Sequence, residues 1–292
     1  MSSDELTMGS MDAGQGAEAF VPMSTTQIID RTLRLYRRHF VHFLAVVAVV
    51  YLPMSILNVV AQVAMVSVTT SMSARTNPDV MLAKATATFV FMLAVAAISL
   101  LGMVLSTGAL TKSVADGYLG RESSVGEVYG AVFQRFGTLL GAFLLVGLLT
   151  GMGYLLCVVP GVILSLMWIV TTPVVMVEPV SAWEGMKRSR QLCSGNLGKV
   201  FLLLLLCTLL VIVITAPFSV VGGLVQQLLV YHKLPVLGVV ASQAISIPSQ
   251  VVAAPISSAA VVLLYYDLRI RKEAFDLEML ADSMSGPRRG DQ

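Results

Sequence analysis

The stretch "VVPGVILSLMWIVTTPVVMVEPVSAWEGMKRSR", from Val158 to Arg190, is the most informative part of the sequence because its two halves require different surroundings. The first half carries no charged side chain before Glu178. An apolar run of about 20 residues is the length of helix that crosses about 30 Å of hydrocarbon. The stretch therefore predicts a membrane span that follows an outer turn at Pro160 and Gly161. The span ends in a charged segment at the membrane surface, with Glu184, Lys187, Arg188 and Arg190.

The composition of the whole chain agrees with a lipid environment. Hydrophobic residues make up 56% of the 292 residues and charged residues only 12%, whereas soluble proteins average about 25% charged. The net charge of +2 is too small to indicate nucleic acid as a partner. The three cysteines are odd in number and match no metal-binding spacing or disulfide framework. The composition predicts a chain whose outer surface meets lipid.

Six segments have the length and composition of a membrane span. Backbone polar groups in lipid must be bonded within their own segment, so these runs predict helices and an all-α polytopic membrane protein. The alternating strands of an outer-membrane barrel do not occur in the sequence. Residues 1–23 lack the basic start and apolar middle of a secretory signal and predict a disordered acidic leader. The membrane domain is predicted at 24–282, with a disordered tail at 283–292 and spans at about 40–68, 88–111, 137–158, 161–178, 200–225 and 236–266.

The basic residues predict the orientation of these spans. Of the 19 Lys and Arg residues, only Arg75, Lys84 and Lys233 lie outside four segments: before span one, between spans two and three, between spans four and five, and after span six. Cytoplasmic loops are enriched in Lys and Arg. The distribution predicts that both termini are cytoplasmic.

Three of the predicted cytoplasmic segments begin with the same local motif. Ser24–Gln27, Ser124–Glu127 and Ser181–Glu184 each fit the capping box, in which two side chains bond the free N–H groups at a helix start. Each motif lies shortly before an odd-numbered span and opens an amphipathic segment. The chain is therefore predicted to form three helical hairpins, each preceded by a cytoplasmic amphipathic interfacial helix.

The spans contain uncharged polar residues that share helix faces. Asn58 and Gln62 lie at i,i+4 in span one, and Gln243, Ser246 and Gln250 share one face of span six. One interpretation is a polar groove for a lipid headgroup or a small solute between these two spans. The other is hydrogen bonding between helices, which is worth about 0.6 kcal/mol per contact and is the commoner role. Prolines that can kink the spans accompany them: Pro53, Pro173, Pro217, Pro248 and Pro255.

Clusters of basic residues next to the spans have two compatible interpretations. They orient the protein, or they bind anionic lipid at about 1 kcal/mol for each residue near the surface. Membrane lipids are therefore the predicted partners. The candidate lipid contacts are Arg34, Arg37, Arg38, Lys187, Arg188 and Arg190.

The sequence predicts no catalytic, cofactor or metal site. No ionisable residue lies near the centre of a predicted span, and no paired carboxylates or phosphate-binding loop occur. His39 and His42 share a helix face at i,i+3, but no carboxylate is close to them in sequence. We therefore expect an interfacial role for these histidines and a protein that is not an enzyme.

Several blocks resemble the glycerophosphoryl diester phosphodiesterase membrane-domain family and kindred bacterial six-helix families. They are "IIDRTLRLYRRHF" with the following "YLP", the block "PGVILSLMW…PVVMVE…SAWEGMKRSRQL", and "LLYYDLRIRKEAFDLE". The resemblance implies a multi-pass protein of a bacterial plasma membrane. Some relatives carry a catalytic barrel of about 250 residues. Too few residues follow span six for such a barrel, so the phosphodiesterase activity is not expected here.

Two functions are compatible with these features. The first is a non-catalytic module that organises lipid or a partner protein at the inner face. The alternative is a carrier or flippase for a lipid or small amphiphile, with a groove near spans one and six.

Overall fold

The structure, a computed structural model, describes residues 23–72 and 78–285. These residues are almost entirely helical and contain no strand. Six of the helical segments are long and apolar enough to cross a membrane. The predicted all-α class and the six spans are thereby confirmed. The predicted leader and tail lie outside the described residues, except for Met23 and for residues 283–285, which continue the last helix.

The described residues form ten helices, which we number in chain order. The spans are formed by α2, α3, α5, α6 with α7, α9 and α10, and consecutive spans pack against each other. The helices are α1 (Thr25–Arg38), α2 (Phe40–Met72), α3 (Pro78–Tyr118), α4 (Val125–Gln134), α5 (Phe136–Leu156), α6 (Val158–Met167), α7 (Thr171–Val177), α8 (Ala182–Cys193), α9 (Leu197–Tyr231) and α10 (Pro235–Ser285).

Several helices are longer than the spans that hydropathy delimits. Helix α3 has 41 residues, or roughly 60 Å at 1.5 Å per residue, which is twice the hydrocarbon thickness. The reason is that nothing in its sequence stops the helix where apolar residues give way to polar ones. Lys112, predicted in a loop, therefore lies in α3 and forms an ion pair of 2.6 Å with Asp116, which is 4% exposed.

The three capping boxes are confirmed in full. The hydroxyls of Ser24, Ser124 and Ser181 each accept the N–H of the residue three positions on, and the side chain of that residue accepts the serine N–H. These bonds lower the pKa of the Glu127 and Glu184 carboxyls, with the serine N–H as the largest cause. Local sequence thus fixes where α1, α4 and α8 begin.

The turn between α5 and α6 differs from the predicted one. Only Cys157, with an extended backbone, separates the two helices, and Pro160 and Gly161 lie inside the first turns of α6. Proline is tolerated there because the first N–H groups of a helix have no partner within it. Gly161 is needed for close packing, since a Cβ at this position would lie 2.4 Å from Tyr154 Cδ1.

The fourth span is interrupted, which the sequence did not predict. Helix α6 ends at Met167 and α7 begins at Thr171. At the break, the Thr171 hydroxyl donates to the Trp168 carbonyl at 2.7 Å. The Ser189 hydroxyl of α8 donates to the Met167 carbonyl at 2.9 Å. The Trp168 carbonyl also accepts the Thr171 N–H at 3.1 Å. The Met167 carbonyl instead bonds a hydroxyl from another helix where a continuous helix would supply its own N–H group.

Helix α10 is the centre of the bundle. It packs against α1, α2, α3, α7, α8 and α9. Leu263, Leu264 and Leu268 of α10 are fully buried and share a core cluster with Val170 and Leu203. By contrast, large apolar side chains point outward from the peripheral helices. Leu155 is 88% exposed and Val213 is 70% exposed, as expected for a surface that meets lipid.

Candidate functional site

A cavity of about 590 Å³ opens between α2, α3 and α10. We call it the polar groove. The three helices that form it are spans one, two and six. Its polar lining consists of Tyr51, Ser55, Asn58, Gln62, Ser99, Ser106, Thr107, Gln243, Gln250, Ser257 and Ser258.

Four of the five residues predicted for this groove do line it. Asn58 and Gln62 reach it from α2, and Gln243 and Gln250 reach it from α10. Ser246 is different: its Oγ lies where a Cβ on Gly222 would approach to 3.1 Å, so it faces α9. The i,i+4 spacing of Asn58 and Gln62 and the i,i+7 spacing of Gln243 and Gln250 thus place the four amides in one groove. Ser246 lies at the edge of this face of α10, where α10 packs against α9.

The amides of the groove are not used to join helices. Asn58 Nδ2 donates to the Met54 carbonyl at 2.8 Å, within its own helix. The side-chain amides of Gln62, Gln243 and Gln250 have no hydrogen-bond partner in the described part of the chain. Ser99 Oγ in the groove wall is also buried without a partner. Interhelical hydrogen bonding therefore does not account for these side chains.

The hydroxyl wall of the groove was not predicted from the sequence. Ser99 and Ser106 lie at i,i+7 on α3, and Ser257 and Ser258 come from α10. Serine and threonine in apolar helices usually bond their own backbone, as Thr107 does with the Met103 carbonyl at 2.8 Å. The i,i+7 spacing was the available signal, but it is weak because it does not show which neighbour the face meets.

A second cavity of about 600 Å³ adjoins the groove. We call it the apolar cleft. Thr107, Ser257 and Ser258 line both cavities. Its other walls are largely apolar and come from α5, α6 and α7, including Phe143 and Trp168 beside the break in span four. Polar and apolar cavities thus lie side by side across α3 and α10.

The charged side chains that pair inside the protein gather at one end of the bundle. We call it the charged end and define it by Asp267, Lys199, Arg271, Glu178 and Arg188. Asp267 is fully buried, accepts the Met23 N–H at 2.6 Å, and pairs with Lys199 and with Arg271 at 3.0 Å. The Met23 carbonyl accepts from the same two cations. This network fastens the start of α1 to α9 and α10.

One predicted lipid contact belongs to a second network at this end. Arg188 pairs with Glu273 at 2.7 Å and with Glu178 at 3.5 Å. Tyr265, which is fully buried, donates its hydroxyl to Glu178 at 2.8 Å. Arg188 therefore joins α8 to α10 within the protein.

The other predicted lipid contacts are exposed. Arg34, Arg37 and Arg38 lie on α1, and Lys187 and Arg190 lie on α8. Lys187 Nζ lies 5.8 Å from the centre of the Trp183 ring. These side chains form the accessible basic surface of the charged end.

The geometry defines the class of the protein as a multi-pass helical membrane protein with an open polar groove between spans one, two and six. No protein-family model, curated protein or solved structure matches the chain. Within the described residues, no group of three or more His, Cys, Asp or Glu side chains is arranged to hold a metal ion. The function is therefore argued from the groove.

Proposed function

We propose that the protein binds an amphiphile in the polar groove and carries it within or across the membrane. The observation that supports this proposal is the set of glutamine amides without partners inside a cavity of about 590 Å³. Gln62 and Gln243 are half-buried and Gln250 is exposed, so within a membrane span these amides meet lipid, where polar groups without a partner are costly. A ligand that bonds them offsets this cost.

The chemistry of the groove favours an uncharged polar headgroup. Its polar lining consists of amides and hydroxyls, which donate and accept hydrogen bonds. A charged headgroup at this depth would call for a charged partner. We therefore propose hydroxyl, glycerol or amide groups as the recognised part, with the apolar cleft accommodating an alkyl chain.

The cellular setting is part of the same proposal. The distribution of Lys and Arg supports a membrane protein with both termini in the cytoplasm, and the charged end then faces the cytoplasm. The resemblance to bacterial six-helix membrane domains supports a bacterial inner membrane. The uncharged lining of the groove supports a binding and carrier role in place of catalysis.

Removing two of the amides tests the groove. We expect the double variant Gln243→Leu/Gln250→Leu to lose roughly tenfold or more in affinity for diacylglycerol, a lipid with an uncharged glycerol headgroup, because each lost hydrogen bond contributes about 0.5–1.5 kcal/mol. Bound lipid is counted by native mass spectrometry of protein released from nanodiscs. The matched control is Gln227→Leu, an exposed glutamine of α9 outside the groove. Equal lipid retention in all three proteins would contradict the proposal.

Organisation of anionic lipid at the charged end is the second candidate function. The exposed Arg34, Arg37, Arg38, Lys187 and Arg190 favour it. We expect thermal stability to be higher in nanodiscs with anionic lipid than in neutral ones, with the difference shrinking as salt screens the charges. Equal thermal stability in anionic and in neutral nanodiscs would count against this role.

A further inference from the structure

A smaller cavity of about 250 Å³ lies where α2 begins and α3 ends. We call it the histidine pocket. His39 directly precedes the first span, and the second span ends at Tyr118. The pocket therefore lies near the boundary of the membrane. It is lined by His39, His42, Phe43, Ser113, Gly117, Arg121, Glu122 and Ser123.

Ser113 shows that the pocket is suited to a ligand. Its side chain is 2% exposed, and its Oγ has no hydrogen-bond partner. A buried hydroxyl without a partner is unfavourable, and such groups are normally satisfied. The hydroxyl lines the pocket, so a ligand there can bond it.

The two half-buried imidazoles lie beside one buried aromatic ring. Phe43 is fully buried, and its ring centre lies 6.0 Å from that of His39 and 6.3 Å from that of His42. Gly117 has no side chain, which leaves the space beside the His39 ring open. The histidine side of the pocket is thus formed by two imidazoles with open space beside the His39 ring.

Most polar groups of the pocket donate hydrogen bonds. His39, His42, Arg121, Ser113 and Ser123 supply imidazole, guanidinium and hydroxyl donors. Burial, followed by the charges of Arg38 and His42, holds the pKa of His39 below its usual range, while Glu122 acts in the opposite direction. Glu122 is the one carboxylate among the lining residues.

We propose that the histidine pocket binds a phosphate group, with Arg121 as its charged anchor and His39, His42 and Ser113 as further donors. Arginine binds phosphate through paired N–H groups, and charge-assisted hydrogen bonds of this kind are about twice as strong as neutral ones. The location of the pocket fits the phosphate of a phospholipid headgroup, and a free phosphate ion has the same chemistry. This site is separate from the polar groove and does not depend on the function proposed for it.

The three histidines of the chain provide a direct readout. Full-length protein labelled with ¹⁵N at histidine is placed in nanodiscs, and the imidazole signals are recorded. His232 lies between α9 and α10 and serves as the internal control. We expect the His39 and His42 signals to shift when phosphate is bound, and the His232 signal to stay unchanged.

Two arms distinguish the sources of phosphate. Inorganic phosphate is titrated into nanodiscs of uncharged glycolipid, and phosphatidylglycerol is compared with the same glycolipid without added phosphate. A shift in the first arm assigns a soluble phosphate, and a shift in the second assigns a phospholipid headgroup. No shift of His39 and His42 in either arm would overturn the proposal.

Variants separate the pocket from the general positive charge. Arg121→Gln should weaken phosphate binding roughly tenfold or more, because it removes the charge-assisted bonds. Ser113→Ala should weaken it less and supplies an independent variant if Arg121→Gln folds poorly. Lys272→Gln removes a half-exposed charge of α10 outside the pocket and should leave the affinity unchanged. Equal losses in Arg121→Gln and Lys272→Gln would show non-specific attraction and contradict the site.

Discussion

Replacing Asp267 with asparagine is expected to lower the free energy of unfolding by about 3–5 kcal/mol. Asp267 is fully buried and pairs with both Lys199 and Arg271. The asparagine is similar in size, but it leaves two cations without a counter-charge. It also weakens the bond from the Met23 N–H, which fastens the start of α1. Thermal or denaturant unfolding in a mild detergent measures the change.

The control for this variant is Asp30→Asn, which neutralises an exposed carboxylate of α1. Surface changes of this kind stay within about 0.5 kcal/mol. The double variant Lys199→Met/Asp267→Asn should recover part of the loss, because it removes one of the unpaired cations. An Asp267→Asn protein as stable as Asp30→Asn would show that the buried network does not hold α1 in place.

Replacing Arg135 with methionine is expected to cost about 1.5–3 kcal/mol, the value of hydrogen bonds from a charged donor. Arg135 lies between α4 and α5, and its Nη1 donates to the Val175 carbonyl at 2.7 Å and to the Glu178 carbonyl. These carbonyls lie at the end of α7 and just after it, in the second half of the interrupted span. Methionine keeps most of the volume but supplies no donor.

The control for Arg135→Met is Arg190→Met, because Arg190 is an exposed arginine of α8. We expect Arg190→Met to unfold within about 0.5 kcal/mol of the parent protein. Limited proteolysis between α7 and α8 provides a second readout. Loss of the hydrogen bonds from Arg135 to the Val175 and Glu178 carbonyls should make this connection easier to cleave. Equal unfolding energies and cleavage rates in the two variants would show that Arg135 does not stabilise the second half of span four.

The features that sequence predicted well are local ones. Ser124 and Glu127 are three residues apart, so their bonds follow from the sequence at a helix start. The long apolar runs likewise predict spans because lipid leaves helices as the only structure for them. Gln243 and Gln250 were placed on one face by helical spacing alone.

The features that sequence missed depend on distant neighbours. The pair between Lys199 and Asp267 joins residues far apart in the chain, and its 68-residue separation leaves no local signal. The break after Met167 is supported by Ser189 from another helix. Ser246 turned toward α9 because the position of that helix, not the periodicity of α10, decides which edge of the face is covered. His39 and Glu122 line the same pocket because α2 packs against α3, a contact that the local sequence does not indicate.

Sided labelling of single cysteines shows whether the chain crosses the membrane six times. Cys193 and Cys207 are replaced by alanine in every variant. One variant keeps Cys157 as its single cysteine. Each of the other three combines Cys157→Ala with one substitution: Lys233→Cys, Glu122→Cys or Ser194→Cys. These positions are exposed and lie between consecutive helices. A membrane-impermeant maleimide applied to sealed vesicles should label Cys157 and Lys233→Cys from one side and Glu122→Cys and Ser194→Cys only from the other. Labelling of Cys157 and Ser194→Cys from the same side would contradict the six-span arrangement.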